Sequence, residues 1–545
     1  MLRFLPRLFH RQTTHVTSAA MLLGIASLLS RVAGLVRDRL LASHFGAGVA
    51  LDTYYAAFRW PDALYNLLIV GALTAGFIPV LTECREQEGE EGAALFAGRT
   101  LSLVAGVMLF VCIFLIIAAP WIVPATVSGF SSAQAAETVA LTRIMALSPL
   151  LLALSAVMGG VLQATKRFLA FALAPIFYNL GIIFGIVCLA PSFGIRGVAF
   201  GVVIGAAFHA LIQAWPVLRA RALRFALPKR HDLRLRRLLV LMGPRTLGLA
   251  ITQLNLLILL ALASSLGDGS VSVLSFANNV QSVPLGLIGI SFAVAALPAL
   301  AEAAAKKDRQ QTTQLVTTVA RQVLFLILPL AAWLILLRAQ VVRLLLGQGA
   351  FDWNDTRQTA LLVGWFAVSL PAQALVPLFA RVWYAYQSVR IPLLVGVVAE
   401  VVNIAAAFLL RAHFGVAGLA IAFSLAAVVQ GIGLYWLLVQ RKIIEYKNPW
   451  KDVWKLVLAL LTSLIAGYLV RHVIGTIFPL RFTWQVVLQA GLSGLVCVLV
   501  YGLVAHFTRI HEWEEILRLI RERVWKRRAT LPDVDATDSQ ISASQ

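Results

Sequence analysis

The sequence predicts an all-α polytopic membrane protein with about fourteen transmembrane helices. Three observations lead there. Of 545 residues, 60% are hydrophobic and 13% charged, about half the charged fraction of a soluble chain. Apolar runs long enough to cross a bilayer recur from one end of the chain to the other. Lysine and arginine gather in short clusters between those runs. The net charge of +21 is therefore read as topology signals, and nucleic-acid binding as a primary role is set aside.

Taken in order, a basic lead-in at 1–18 carries Arg3, Arg7, His10 and Arg11 and has no signal-peptide core. Spans follow near 19–42, 52–81, 95–118, 138–162, 168–190 and 197–218, the first half or N-lobe. The basic linker 219–237 separates them from a second half (238–439), with spans near 238–265, 271–300, 314–337, 359–386, 391–411 and 415–439. Two further spans, 453–474 and 484–507, fall in segment 440–507. Over 508–528, Ile510, Trp513, Leu517, Ile520 and Val524 recur at helical spacing among charges, which reads as an interfacial amphipathic helix. The tail 529–545 is polar and expected to be disordered.

Orientation follows from the basic residues. With the N-terminus inside, Lys166–Arg167, the linker, Lys306, Lys307 and Arg309, the Arg441–Lys455 cluster and the tail are all cytoplasmic, and an even span count returns the C-terminus to the same side. The acidic stretch Glu83–Glu91 also falls there, against the trend. Gly194-Ile195-Arg196-Gly197-Val198-Ala199 before span six is echoed by Gly415-Val416-Ala417-Gly418-Leu419-Ala420 before span twelve. Two six-helix lobes around a central cavity, with two helices appended, are the expected build of a secondary transporter.

Polar residues inside the spans mark the candidate site. In the first span Gly24, Ser27, Arg31, Gly34 and Asp38 share one helix face, flanked by Ser30 and Arg37. A charge at membrane depth needs water or a partner, so Arg31 implies a hydrated cavity or a structural ion pair with Asp38. Asp52, Tyr55, Arg59, Asp62 and Asn66 form a second stripe, bent by Pro61, in which Arg59 and Asp62 are spaced to pair. Span eight repeats the stripe without charge, in Ser275, Asn278 or Asn279, Ser282, Gly286 and Gly289. In span eleven, Glu400 and Asn403 lie one turn apart, as a coupling-ion site or as a protonated acid bonded across a helix interface.

No enzyme constellation emerges. The histidines form no ligand pair within a span, Cys84, Cys112, Cys188 and Cys497 lack metal-ligand spacing, and no phosphate-binding glycine loop precedes a lysine. Alternating-access transport without a cofactor is the expectation, with Na+, H+ or the membrane potential as candidate driving forces. A cavity carrying arginines favours an anionic headgroup, a diphosphate above all.

The run Ser30-Arg31-Val32-Ala33-Gly34-Leu35-Val36-Arg37-Asp38, then Phe45-Gly46-Ala47-Gly48 and Asp52, resembles the opening of the MurJ (MviN) family. Gly76–Leu81, Gly243-Pro244, Gly349-Ala350-Phe351 and Arg381–Ala385 continue the resemblance in order. It implies a bacterial inner-membrane flippase of lipid II, the polyprenyl-diphosphate-linked peptidoglycan precursor, working beside the cell-wall synthesis machinery and surrounded by membrane lipid. It also implies that Arg31, Arg37, Asp38 and Asp52 hold the diphosphate and gate the cavity. The family pattern has an arginine pair where this chain has Tyr65-Asn66, and an arginine where Asn279 aligns. Either Arg59 or Arg31 takes over, or the substrate is bound differently. The rivals are another polyprenyl-diphosphate glycan, a cationic drug, and a non-transporting membrane scaffold.

Overall fold

The computed structural model describes residues 16–70, 73–229, 232–445, 453–478 and 482–528. Most of the basic N-terminal segment and the whole polar tail 529–545 lie outside the described residues. The described chain is helical throughout, with no strand. Helix α1 covers Val16–Phe45 and α2 Val49–Tyr65. Pro61 sits inside α2, which widens into a π-helical turn over Asn66–Val70. There follow α3 (Leu73–Thr126), α4 (Ser132–Met145), α5 (Ser148–Ala164), α6 (Phe168–Phe184), α7 (Ile195–Arg219) and α8 (Leu233–Ser264). Then come α9 (Ser270–Pro284), α10 (Ser291–Ala305), α11 (Arg309–Leu336), α12 (Arg338–Leu346) and α13 (Trp353–Ala385). The last are α14 (Arg390–Phe414), α15 (Val416–Gln440), α16 (Val453–Ile477), α17 (Thr483–Phe507) and α18 (His511–Arg528).

Among the described residues, eleven helical stretches are long and apolar enough to cross a membrane. One of them, Gly76–Thr126, has 51 residues, about 76 Å of helix and more than twice the ~30 Å hydrocarbon core. It breaks at Gly89 (φ 71°) beside the acidic stretch, so it holds the end of one predicted span and the whole of the next. The predicted spans outside the eleven are 19–42, 52–81 and 238–265. The first two carry the charged stripes, and the third contains the described apolar stretch Gly248–Ser264 within the helix Leu233–Ser264.

The internal echo is structural as well as sequential. Gly194 (φ 56°, ψ −139°) and Gly415 (φ 55°, ψ −135°) take the same left-handed backbone, open to glycine and strained for other residues, ahead of α7 and α15. A second recurrence marks the ends assigned to the cytoplasm. Lys166, Arg221, Lys307, Lys442 and Arg509 each follow a helix end with φ between 51° and 57°. Basic side chains there also complement the helix dipole.

The chain forms two compact units. The first takes the residues up to Val283 with Val341–Ala372 and Ser388–Leu434. Within it α6 and α7 pack glycine on glycine: a Cβ on Gly181 would stand 2.2 Å from the Cα of Gly205. The acidic stretch finds its partners in this unit too. Arg234 forks onto both oxygens of Glu88 at 2.7 Å each, and Arg237 reaches Glu83 at 2.8 Å. Asp232 caps the first turn of α8 through Arg234 N and Leu235 N and also takes Arg99 of α3 at 2.9 Å. These acids hold the start of α8, which accounts for acidic residues on a basic face.

The second unit comprises Pro284–Gln340, Gln373–Gln387 and the chain from Tyr435. Here α16 and α17 pack on α11, where Trp333 Nε1 donates to Ser463 Oγ at 3.2 Å and Tyr501 OH to Phe325 O at 2.9 Å. The amphipathic α18 is docked on protein at its start: Glu512 is buried and takes Arg321 Nε at 2.7 Å, and Trp513 packs over Gly502.

Candidate functional site

The charged stripes of α1 and α2 and the amide stripe of α9 meet within the first unit around a cavity of about 160 Å³. Arg37, Leu41, Tyr54, Tyr55, Phe58, Arg59, Asp62, Ile182, Ser275, Asn278 and Asn279 line it. Four side chains form its floor. Arg37 puts Nε and Nη2 on Asp38 Oδ1 at 3.0 and 2.8 Å, and its Nη1 on Asn179 Oδ1 at 3.1 Å. Asp38 gives its other oxygen to Asn279 Nδ2 at 2.9 Å. One hydrogen-bonded chain therefore links α6, α1 and α9. Asp38 is 4% exposed, and at that depth the Arg37 guanidinium and the Asn279 carboxamide satisfy both of its oxygens.

The tyrosines form the wall. Tyr54 and Tyr55 stand edge to face at 5.4 Å, and Tyr55 meets Phe276 of α9 at 5.6 Å. The Tyr55 hydroxyl is buried with no hydrogen-bond partner among the described residues, a donor left available in a polar pocket.

Asp52, also expected at the site, does not line the cavity. It is 1% exposed, and both its oxygens are taken by the start of α9. Gly269 N donates to Oδ2 at 2.7 Å, and Ser272 N and Oγ donate to Oδ1 at 2.8 and 2.5 Å. It caps another helix's N-terminus, where unpaired amides and the helix dipole favour a carboxylate.

Arg59 and Asp62 both line the cavity, yet no ion pair within 4.0 Å joins them. Arg31 is half-buried, lies two turns from Asp38 along α1, and makes no hydrogen bond or ion pair among the described residues. Asp38 pairs with its neighbour Arg37, so the Arg31–Asp38 pair weighed from spacing does not form. Asn66 opens the π-helical turn one helical turn beyond Asp62 and is not in the lining. Formal charges in and under the cavity cancel, with Arg37 and Arg59 against Asp38 and Asp62. The structure thus gives a charge-balanced site where the arginine stripes alone implied a cationic one.

Asn179 is the member the sequence reading missed. Its signal was present: it is the one carboxamide in the apolar helix Phe168–Phe184.

A second polar cluster sits in the same unit between α8 and α14. The Glu400 carboxylate receives the side chains of Asn403, Thr252 and Asn255. Asn255 and Asn403 are 3% and 1% exposed, and the Oδ1 atom of each is buried without a hydrogen-bond partner among the described residues. A carboxylate beside two orphaned carboxamide oxygens has the donor chemistry of a hard-cation site. Thr252 and Asn255 join the predicted Glu400 and Asn403.

The family model "Lipid II flippase MurJ" matches residues 41–488. A probable lipid II flippase MurJ of Rhizobium meliloti (strain 1021) is 30% identical over 427 residues, 77% of this chain and 79% of that protein. The probable lipid II flippase MurJ of Thermotoga maritima is 27% identical over 500 residues, 91% of this chain and 97% of that protein. A solved structure described as lipid II flippase MurJ in an inward closed conformation superposes with a TM-score of 0.75 at 24% identity. It covers 90% of this chain and 99% of the other. An inward-facing multidrug resistance MATE family transporter of the MOP superfamily gives 0.65 at 16% identity, over 78% and 98% of the two chains. With a family model matched over most of its length, and a fold shared with a solved member, this chain belongs to the lipid II flippase MurJ family.

Proposed function

We propose that this chain moves lipid II, the lipid-linked peptidoglycan precursor, from the inner to the outer leaflet of the bacterial cytoplasmic membrane by alternating access. The observation that carries the reading is the Asn179–Arg37–Asp38–Asn279 chain beneath the cavity, with Arg59 beside it and outside any ion pair among the described residues. Two guanidiniums on one polar pocket suit a diphosphate, which each can hold through paired N–H groups. The 160 Å³ cavity is far smaller than the ~300–1,000 Å³ of typical ligand pockets, so a glycan headgroup requires the site to open.

Charge balance shapes the mechanism. A diphosphate brings two or more negative charges to a site whose own charges cancel, so entry is favoured when a cation or a change of protonation accompanies it. The Glu400–Asn403–Thr252–Asn255 cluster is the place we assign to a coupling Na+ or H+. The basic-residue asymmetry of the sequence supports cytoplasmic termini.

The test is rescue of bacteria depleted of their own lipid II flippase. The intact chain is expected to restore growth, and Arg37→Ala to lose it while remaining in the membrane. A well-expressed intact chain that fails to rescue would move the reading to another polyprenyl-diphosphate glycan or to the scaffold role. Glu400→Gln tests the coupling site separately. Flipping in vesicles with an imposed Na+ or pH gradient is expected to lose its gradient dependence, with at least a tenfold fall in the driven rate. An unchanged gradient response in Glu400→Gln would remove that cluster from the coupling scheme.

A further inference from the structure

Two segments singled out in the sequence, Phe45–Gly48 and Gly349–Phe351, are some three hundred positions apart and touch in the folded chain. Ala350 N donates to Ser43 O at 2.9 Å, and Ala47 N donates to Asp355 Oδ2 at 2.9 Å. Arg39, near the end of α1, donates to Gln348 Oε1 and Leu344 O, each at 3.2 Å. The approach admits no side chain at two positions. A Cβ on Gly46 (φ 64°) would lie 2.7 Å from Ala350 O, and one on Gly349 (φ 60°) would run into Ser43 O.

Asp355 occupies the centre of this contact. Its N–H donates to Asp352 Oδ1 at 2.8 Å and its Oδ2 accepts from Asp352 N at 3.3 Å, a reciprocal cap on α13. The same Oδ2 takes the Ala47 amide, so one carboxylate fixes both the start of α13 and the α1–α2 turn. The contact leads on to the cavity wall. Phe351 is buried and meets Phe276 at 5.7 Å, and Phe276 meets Tyr55 of the lining at 5.6 Å.

We propose that Asp355 is a positioning residue for transport: it latches the 347–352 loop to the α1–α2 turn and sets how readily the Arg37–Asp38 cavity is reached from outside the cell. The inference rests on the alternating-access reading and on its topology, in which this turn faces outward. When the latch is shut, the turn, the loop and the Phe351–Phe276–Tyr55 stack cover the cavity. Opening outward breaks the Ala47–Asp355 and Ala350–Ser43 bonds together, because both are made by the short stretch Ser43–Ala47. Substrate does not touch Asp355; it acts through the loop.

Side-specific labelling tests this in intact cells and does not depend on flipping. The full-length chain carries Ser275→Cys as a cavity probe, with Cys84, Cys112, Cys188 and Cys497 replaced. A membrane-impermeant maleimide is added outside or, in inverted vesicles, from the cytoplasmic side. Asp355→Ala is expected to raise outside labelling at least tenfold and leave cytoplasmic-side labelling level or lower. Asp355→Asn should fall between, since its carboxamide oxygen still accepts from Ala47. A general loosening would raise labelling from both sides and overturn the proposal, as would no change from outside.

Should Asp355→Ala fail to fold, the pair Ser43→Cys with Ala350→Cys reads the same latch in the other direction. Oxidation is expected to cut outside labelling at least tenfold and reductant to restore it, and labelling indifferent to oxidation overturns the proposal. If labelling behaves as expected while the intact chain fails to rescue growth, the latch stands and the lipid II reading falls.

Discussion

Replacing Asp38 by alanine is expected to abolish rescue of flippase-depleted cells, with flipping down at least a hundredfold and the protein still inserted. Asp38 Oδ1 takes two N–H groups of Arg37 and Oδ2 takes Asn279. Alanine removes both acceptor oxygens and all three hydrogen bonds, and leaves a part-buried guanidinium facing Tyr54 and Tyr55 with no counter-charge. Breaking a buried ion pair from one side costs about 3–5 kcal/mol, and a hundredfold change needs about 2.7 kcal/mol. Asp38→Asn should not rescue either. A carboxamide offers one oxygen, so its NH₂ must face either the Arg37 fork or the Asn279 amide, donor against donor. The informative control is Asp38→Ala combined with Arg37→Ala, in which the stranded charge is gone. Protein stability should recover in the double variant while flipping does not, because the guanidinium proposed to hold the diphosphate is missing. Stable, active Asp38→Ala would show that the α6–α1–α9 chain is dispensable.

The helical period in the sequence located most of this site and misjudged its internal pairing. Spacing alone placed Asp38, Arg59, Asp62 and Asn279 on faces that converge, because a charge in an apolar helix has few places to go. It could not tell which cation Asp38 holds. Arg31 lies on the same line of the helix, but a guanidinium on the adjacent residue reaches Asp38 Oδ1 at 2.8 Å. The family pattern's missing arginine at Asn279 has a physical reading in this chain: the carboxamide saturates the second oxygen of Asp38. A charged residue there would instead compete with Arg37 for one carboxylate. The cationic character inferred from the arginines also fell, because Asp38 and Asp62, on the same two helices as Arg37 and Arg59, balance them in and under the cavity.

Other parts were legible only in pieces. The Gly194 and Gly415 echo could be read directly, since both glycines meet the same backbone demand. Asn179 needed only a rule already applied to Asn279: an isolated carboxamide in an apolar helix wants a partner. Thr252 and Asn255 were a harder case, because α8 is amphipathic enough to hide two polar residues until α14 is placed beside it. The second predicted span, 52–81, comprises an α-helix holding Pro61, a π-helical turn opened by Asn66 and, beyond residues 71–72, the start of a further helix.

Asp52 carries the second large expectation: Asp52→Ala should lower flipping at least tenfold, and Asp52→Asn nearly as much. No local motif announces its role, since its partners are 217 and 220 residues further along the chain. The loop before α9, Gly267-Asp268-Gly269-Ser270, offers Asp268 as the obvious local cap. Asp268 is instead held by Gln134 Nε2 at 2.9 Å, and the incoming carboxylate of α2 takes the amides. Removing it leaves two backbone N–H groups of a helix start unpaired in a buried setting, a cost of about 1–3 kcal/mol for each group stranded. Asparagine keeps one oxygen but turns an NH₂ toward either Gly269 N or Ser272 N, which explains why the nearest isostere should still fail. The effect belongs to conformational balance rather than to substrate contact, because Asp52 does not reach the cavity. Binding of a diphosphate probe to the purified protein should therefore change less than flipping does. Equal losses in binding and flipping would instead place Asp52 in the substrate site, and unaltered flipping in Asp52→Ala would mean that the α2–α9 cap is not part of the moving machinery.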